Sequence, residues 1–531
     1  MKTMRIMQAI GFLLGLMLLA TNSGWAQLST GSIVGTVYDQ TGAAVPTAQL
    51  TLRDTATGTT RTATTSAAGA YEFPQLRPGT YDLTAEAKGF RRTVERNIVV
   101  NASLVARLDV TLQVGDVAQT VEVTAEIPLI EPDKTSISKT VDIRGMQNLP
   151  MLDRQILNLA LTVPGTTPGA PGTQVVAFSV AGMRTQSNNY TLDGISHNDP
   201  QVNGPLNAFR IADAVQEFSV QTSIASTEVG RNSGAQVSII TKSGANAYHG
   251  TLFYYHRNDA FDATPFFLNR ARQPKNPLRR HDYGGTVGGF LARDKTFWFF
   301  SFEGFRQTVQ EPATARVPTD AERAAVTDPV SRKLLQFWPQ ANTPQLLGST
   351  GRNWAGTTPS TNNNQTYFGR IDQNLSKNHR LMGRYAWFRG STLARQTDPF
   401  NGAITNQPGQ HSLLLQETYG TGRMVNELRV GYSRNRTFFL PVDVSLNPAS
   451  IFTDASGNPL PGYVNTTTDS LDGGLPRITT TGFTNGGLGA GTNMPQGRAT
   501  NTYEYSENLT LIGPWGWSRH TLRFEIGRAH V

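Results

Sequence analysis

The sequence predicts a mainly β chain in three parts: an N-terminal β-sandwich, an α+β middle segment, and a transmembrane antiparallel β-barrel. Three observations predict it. The front carries short strands at roughly 8–12-residue spacing with turn residues between them. Past the N-terminus, no apolar run reaches the roughly 18 residues that a membrane helix needs. The second half is written as alternating segments of about ten residues, joined by connections that are short, then long, then short again. Gly 51 and Pro 29 in 531 residues, with only 16% charged residues, suit an architecture of many turns.

Residues 1–26 read as a signal peptide. Lys2 and Arg5 form the charged start, Ile10 to Ala20 the apolar core, and Gly24-Trp25-Ala26 the small-residue cleavage site. An exported chain without a helical anchor can be integral to a membrane only as a closed barrel. Cysteine is absent, which excludes disulfides, thiolate metal sites and a lipid anchor on an N-terminal cysteine. The net charge of +8 is spread along the chain, with only short clusters such as Arg91–Arg92 and Arg279–Arg280. It reads as a basic surface or lumen, so no nucleic-acid partner is expected.

No enzyme signature is present. H-E-x-x-H, G-x-S-x-G and G-x-x-x-x-G-K-[ST] are missing, and the glycine cluster Gly486–Gly491 fails G-x-G-x-x-G spacing. The 8 histidines are scattered without metal-ligand spacing. No catalytic residue, metal or cofactor is expected.

Residues 27–113 form the expected sandwich. Strands are expected at Ile33–Tyr38 and Ala48–Leu52 around a turn built on Asp39, Gly42 and Pro46, then at Ala70–Phe73 and Gly79–Ala85 with Pro74 and Pro78 in the turn. Leu104–Leu112 alternates and closes an antiparallel unit. The run from Gly35-Thr-Val37-Tyr-Asp39 through Val45-Pro46-Thr-Ala48, with GAYEFPQLRPGTYDLTAEAKGF after it, is similar to the carboxypeptidase regulatory-like domain. Despite that name no peptidase is implied, since no histidine precedes His197.

Residues 114–125 read as a linker. Thr120-Val121-Glu122-Val123-Thr124-Ala125 alternates β-branched and polar residues ahead of a proline-containing stretch. It resembles the TonB box, the extended segment by which TonB-dependent outer-membrane transporters are pulled. A free β-prone strand can pair its backbone with the edge of a partner protein. The plainer alternative is a last sandwich strand or a linker.

Residues 126–245 carry SVAGMR, NYTLDGI, AVQEFSV, EVGRNSG and ITKSG in that order. The series is similar to the plug of TonB-dependent transporters of the Oar-like type. A short helix is expected at Asp153–Leu161 and strands at Phe178–Arg184 and Asn189–Ile195. Arg184, Asp193, Glu217 and Arg231 are the polar residues expected to tie plug to barrel wall, with ordinary surface charge as the alternative.

Residues 246–524 are expected to form the barrel, with strands at His249–Arg257, Asp282–Ala292, Thr296–Arg306, Gln365–Gln373, Arg380–Arg389, His411–Gly420, Asn426–Asn435 and Asn501–Ile512, and another opening at His520. In Glu427–Ser433, Leu428, Val430 and Tyr432 share one face and Glu427, Arg429 and Ser433 the other. FWFFSF (Phe297–Phe302) is apolar on both faces. Short turns at Arg293–Lys295, Asn374–His379, Thr421–Val425 and Gly513–Arg519 alternate with long segments at Asn258–His281, Gln307–Asn364, Gly390–Gln410 and Arg436–Thr500. Long loops on one end only argue against a soluble sandwich.

The resemblance implies a protein of the Gram-negative outer membrane with its N-terminal module in the periplasm. It implies active transport of an extracellular ligand through a plug-gated barrel, with outer-membrane lipid and a TonB-type energy-coupling protein as partners. Iron chelates, cobalamin and oligosaccharides are all carried by such proteins, and no residue here selects among them. An adhesin or surface-assembly protein using the same barrel is the alternative. Barrels of this kind have about 22 strands. Since residues 525–531 (EIGRAHV) resemble a translated sequencing adapter, the native chain is expected to continue past Phe524.

Overall fold

The computed structural model describes residues 30–102, 105–115, 120–124, 138–142, 145–146, 149, 154–169, 178–206, 212–222, 232–270, 272, 274–343, 351–395, 400, 402–421, 424–461, 473–483, 485–489, 494, 496–515 and 518–527. The expected signal peptide, Ala125 and Arg231 lie outside the described residues.

The N-terminal module is a two-sheet sandwich. Its strands are β1 (Gly31–Asp39), β2 (Gln49–Asp54), β3 (Thr60–Thr64), β4 (Ala70–Leu76), β5 (Gly79–Glu86), β6 (Arg92–Val100), β7 (Val105–Arg107), β8 (Val110–Leu112) and β9 (Thr120–Thr124). One sheet runs β4-β1-β7 with β8 also on β1, and the other runs β3-β2-β5-β6-β9. Between them Ile33, Val37, Leu50, Leu52, Phe73, Leu83, Ile98 and Val110 form the core. The pairing is mixed rather than antiparallel, because β7 and β8 run parallel to β1, and β9 runs parallel to β6.

The single strand expected over Leu104–Leu112 is broken at Leu108-Asp109. There the Leu108 carbonyl turns inward to accept the Tyr71 hydroxyl at 2.6 Å. It also presses on Gly35, where a Cβ would come within 1.8 Å of it, so only glycine fits. Pro74, expected in a turn, lies inside β4. Strand β6 carries no clean alternation because its inward set changes phase, from Thr93 and Glu95 to Ile98 and Val100. The change falls at a bulge where Asn97 sits at φ 62.

The plug contains β10 (Ser138–Asp142), β11 (Thr166–Pro168), β12 (Phe178–Val180), β13 (Asn189–Leu192), β14 (Ile195–Ser196), β15 (Val215–Gln221) and β16 (Gln236–Thr241). Five of them form one sheet in the order β10-β15-β16-β13-β14, and β11 pairs with β12. The expected helix appears as a 3₁₀ segment, Ile156–Thr162, whose Ile156, Leu159 and Ala160 are buried. Tyr190, Leu192, Phe218, Val220, Val237 and Ile239 make the core, and the wall residues Phe299, Phe368 and Ala386 complete it.

The wall is one antiparallel sheet of nine strands in sequence order: β17 (His249–Asn258), β18 (Leu278–Ala292), β19 (Thr296–Ala315), β20 (Trp354–Ser376), β21 (His379–Arg395), β22 (Gly402–Gly420), β23 (Met424–Pro441), β24 (Gln496–Trp515) and β25 (Ser518–Gly527). Among the described residues the sheet is open, with β17 and β25 at its edges. Strand β25 carries on past Phe524, pairing Glu525, Ile526 and Gly527 with β24.

The wall strands from β18 onward are longer than their alternation suggested, by one to three residues where they extend toward the short turns and by more toward the long connections. The pairing of β19 with β20 runs without a break out to Ala315↔Trp354. The segment Gly390–Gln410, expected as a long loop, is mostly ladder, and its connection shrinks to residues 396–401. Beyond the lipid no face has to be apolar, so polar stretches such as Thr357–Asn364 continue the ladder without a hydropathy signal.

The wall is polar inside and apolar outside. In β23, Glu427, Arg429, Ser433 and Asn435 are buried while Val430 is 48% exposed. Arg384 and Arg429 are among the most buried large side chains, whereas Leu252 is 93% exposed. A soluble protein would reverse this, since a buried charge is tolerated only when paired. The two-faced FWFFSF also resolves: Phe297 and Phe299 point inward, Phe299 onto the plug core, and Phe300 points out.

Candidate functional site

The junction of plug and wall is built around one turn. Strands β13 and β14 are joined by Asp193-Gly194, with φ of 51° and 84° at the two residues. Asn/Asp-Gly suits a two-residue hairpin of this hand because both positions need positive φ. The turn aims Asp193 at the wall. Its carboxylate accepts the Thr241 backbone N–H at 2.9 Å, pairs with Arg384 Nε at 2.9 Å and lies 3.8 Å from Arg370 Nη1. Gly194 lies against Arg429, where a Cβ would come within 2.8 Å of the guanidinium.

Each arginine reaches further into the plug or wall. Arg384 donates to the Leu192 carbonyl at 2.8 Å and to Ser412 Oγ at 3.0 Å. Arg370 donates to the Thr241 carbonyl at 2.8 Å and to Asp372 at 2.8 Å. Arg429 pairs with Glu427. Around this centre Glu504 accepts the Ser196 N–H at 2.9 Å, Asn435 donates to Asp199 at 3.0 Å, and Gln201 donates to Thr500 at 2.7 Å. On the other side of the plug, Arg154 bonds Asp213 at 2.7 Å, lies 3.5 Å from Asp282 of β18, and stacks 4.2 Å over the Tyr255 ring.

Of the residues singled out in the sequence, Asp193 sits at this centre. Glu217 is buried in β15 and accepts the Ala102 N–H at 2.8 Å, a contact to the N-terminal module. Arg184 is exposed and precedes a short 3₁₀ turn. Thr120–Thr124, the candidate coupling segment, is strand β9, paired with Arg92–Arg96 of β6. The wall partners Arg370, Asp372, Arg384, Glu427 and Arg429 were not anticipated. Their signal was available: charged residues recurring at every second position on the face opposite the outward apolar set, as in Arg370/Asp372 and Glu427/Arg429.

His197 follows β14 and is 3% exposed. Burial, with the Arg384 charge adding to it, pushes its pKa down to about 3, so the ring is neutral. No group of three or more His, Asp or Glu is placed to hold a metal ion among the described residues. The arrangement is a fixing device: paired charges hold the segment that carries β13 and β14 against the polar face of the wall.

Residues 240–526 match the model of the outer membrane beta barrel domain, and residues 32–113 that of the carboxypeptidase regulatory-like domain. The chain is 27% identical over 371 residues to the TonB-dependent transporter Oar of Myxococcus xanthus, covering 65% of this chain and 34% of that protein. The chain thus spans about a third of that relative's length. Among solved structures, the outer membrane transporter YddB from Escherichia coli superposes with a TM-score of 0.50 at 12% identity, over 73% of this chain and 47% of that one. Inverted polarity, antiparallel wall and inserted plug agree with these matches in one architecture. The chain belongs to the outer membrane beta barrel domain family, is homologous to TonB-dependent transporters of the Oar type, and carries a carboxypeptidase regulatory-like domain ahead of the barrel.

Proposed function

We propose that this protein carries out TonB-dependent active transport of an extracellular ligand across the outer membrane, with the plug as its gate. The observation that carries the reading is Asp193 held between Arg384 and Arg370. The stopper is fixed in the lumen by these charge pairs alongside the apolar packing of Phe299, Phe368 and Ala386 on its core. When the stopper shifts and water enters, both partners of each pair can be solvated together, so neither is left buried alone. The ligand binds the long-connection end, and a TonB-type partner pulls Thr120–Ala125 from the periplasm, where the N-terminal module lies. Strand addition would supply the grip, because it depends on backbone extension more than on side-chain identity.

The test deletes Thr120–Ala125 and measures cellular uptake of radiolabelled probes: an iron chelate, cobalamin and an oligosaccharide. Uptake of at least one probe by the parent protein, lost on deletion with surface binding retained, is the expected result. Uptake that survives the deletion would overturn energy coupling through this segment.

A further inference from the structure

The N-terminal module is seated on the short-turn rim of the wall. Two parts of it make the seat, the turn between β2 and β3 and the end of β4 with the turn after it. Asn246, ahead of β17, donates its N–H to the Ala56 carbonyl at 3.0 Å. Asp294, in the β18–β19 turn, lies against Gly58, where a Cβ would come within 2.4 Å of its carboxylate. Asn374, near the end of β20, donates to Thr59 Oγ1 at 3.1 Å. Arg77 pairs with Asp372 at 2.6 Å, and Gln75 donates to Thr510 Oγ1 of β24 at 2.9 Å. These anchors run from the segment just ahead of the first wall strand to the eighth strand.

The seam differs from the interiors it joins. The module's apolar core contains residues of the module alone, and the plug's core takes side chains from the wall but none from the module. Module and wall therefore meet through polar contacts, around a cavity of about 360 Å³ whose lining includes Asp54, Arg77, Lys242, Arg370 and Arg380. An interface of this composition suits a contact that opens. It is also wired to the plug. Asp372 binds Arg77 on one side and Arg370 on the other, and Arg370 binds Thr241 and lies beside Asp193. Finally, β9 is hydrogen-bonded along β6, so force applied to Thr120–Thr124 is force applied to the module.

We propose that the regulatory-like module is a removable cap on the short-turn mouth of the barrel, latched by Arg77 on Asp372, and that the coupling strand β9 is the handle that draws it off. The removal step rests on the transport reading above; the cap itself does not. In the closed state two stoppers lie in series, plug and module, joined by the Arg77–Asp372–Arg370–Asp193 chain. Loading β9 pulls the module from the rim and frees one side of Asp372, which loosens the hold on the plug.

The chain has no cysteine, so introduced pairs report unambiguously. Gln75→Cys with Thr510→Cys, replacing side chains whose tips meet at 2.9 Å, is expected to be joined in most copies by a short bifunctional thiol reagent in outer membranes, read as a mobility shift. Gln75→Cys with Thr500→Cys, at the far end of β24, is the negative control. Adding Arg77→Ala, or separately Asn374→Ala, should lower the cross-linked fraction severalfold. In living cells the fraction should be lower when the inner membrane is energised than after a protonophore, and that difference should vanish when Thr120–Ala125 is deleted. Cross-linking no greater than the control pair would overturn the cap and leave the transport reading untouched. Cross-linking equal in energised and de-energised cells would overturn its removal.

Discussion

Asp193 of the plug and Arg384 of the wall meet at 2.9 Å, with side chains 4% and 0% exposed. A charge pair so deep is costly to break from one side, because the survivor stays buried without its partner. Asp193→Ala is therefore expected to destabilise the plug in its seat by about 3–5 kcal/mol. Replacing both residues, with Arg384→Met, should recover a large part of that loss. The check is a urea series on outer-membrane protein, scored by protease cleavage within the plug. A double variant as weak as the sum of the singles would deny the coupling.

Gly194 is held in place by two independent demands. Its φ of 84° disfavours a side chain, and a Cβ would meet the Arg429 guanidinium at 2.8 Å. Gly194→Ala is expected to cost about 1–3 kcal/mol from the backbone conformation alone. The contact with Arg429 adds to it. The same urea series measures this, and a variant indistinguishable from the parent would contradict the hairpin geometry.

Much of this was legible in the sequence, and the illegible part has definite causes. Alternation located all nine wall strands because the membrane imposes opposite polarity on the two faces of each strand. It failed where the membrane stops, so Gly390–Gln410 read as loop although it pairs from Gly390↔Gln407 to Arg395↔Gly402. NYTLDGI reads as one strand, Asn189–Ile195, although Asp193-Gly194 folds it into a hairpin of β13 and β14. It could not reveal Arg370 and Arg384, which come from strands far along the chain and meet Asp193 only through wall curvature and plug insertion. Thr120–Ala125 illustrates a third case. Its β-prone text is equally good for a free pulling strand and for an edge strand, and the structure docks Thr120–Thr124 on β6.

His197 makes the plug sensitive to acid. Its pKa is ordinarily near 6.5 and lies at about 3 in the folded state, because burial first, and Arg384 second, oppose the charged ring. A depressed pKa means the folded state binds the proton later than the unfolded one. The stability associated with neutral His197 is therefore complete above about pH 6.5 and is lost progressively as pH falls toward 3. Hydrogen exchange of β13 to β16, corrected for intrinsic rates, should show protection falling through that window. In His197→Phe the fall should be smaller; an unchanged pH profile would remove this histidine from the account.

The outward face of the wall gives the last prediction, which separates a membrane-embedded sheet from a soluble one. Leu415 is 55% exposed on β22, while its neighbour Gln416 is buried and donates to Glu427 at 2.7 Å. In water, an arginine at an exposed position costs little. In lipid, it must leave the hydrocarbon or carry its charge there, at about 2–4 kcal/mol near the midplane. Leu415→Arg should therefore lower folding stability in lipid vesicles by that order, and Leu415→Phe should leave it nearly unchanged. The converse holds at Asn435, which faces inward and accepts Gln410 Nε2 at 2.7 Å. Asn435→Leu removes that bond without any gain from lipid, so it should destabilise although it makes the strand more hydrophobic. Loss of stability at both positions, on gaining a charge at one and on gaining an apolar side chain at the other, measured by urea unfolding in vesicles, is what a wall with lipid outside and a polar lumen requires.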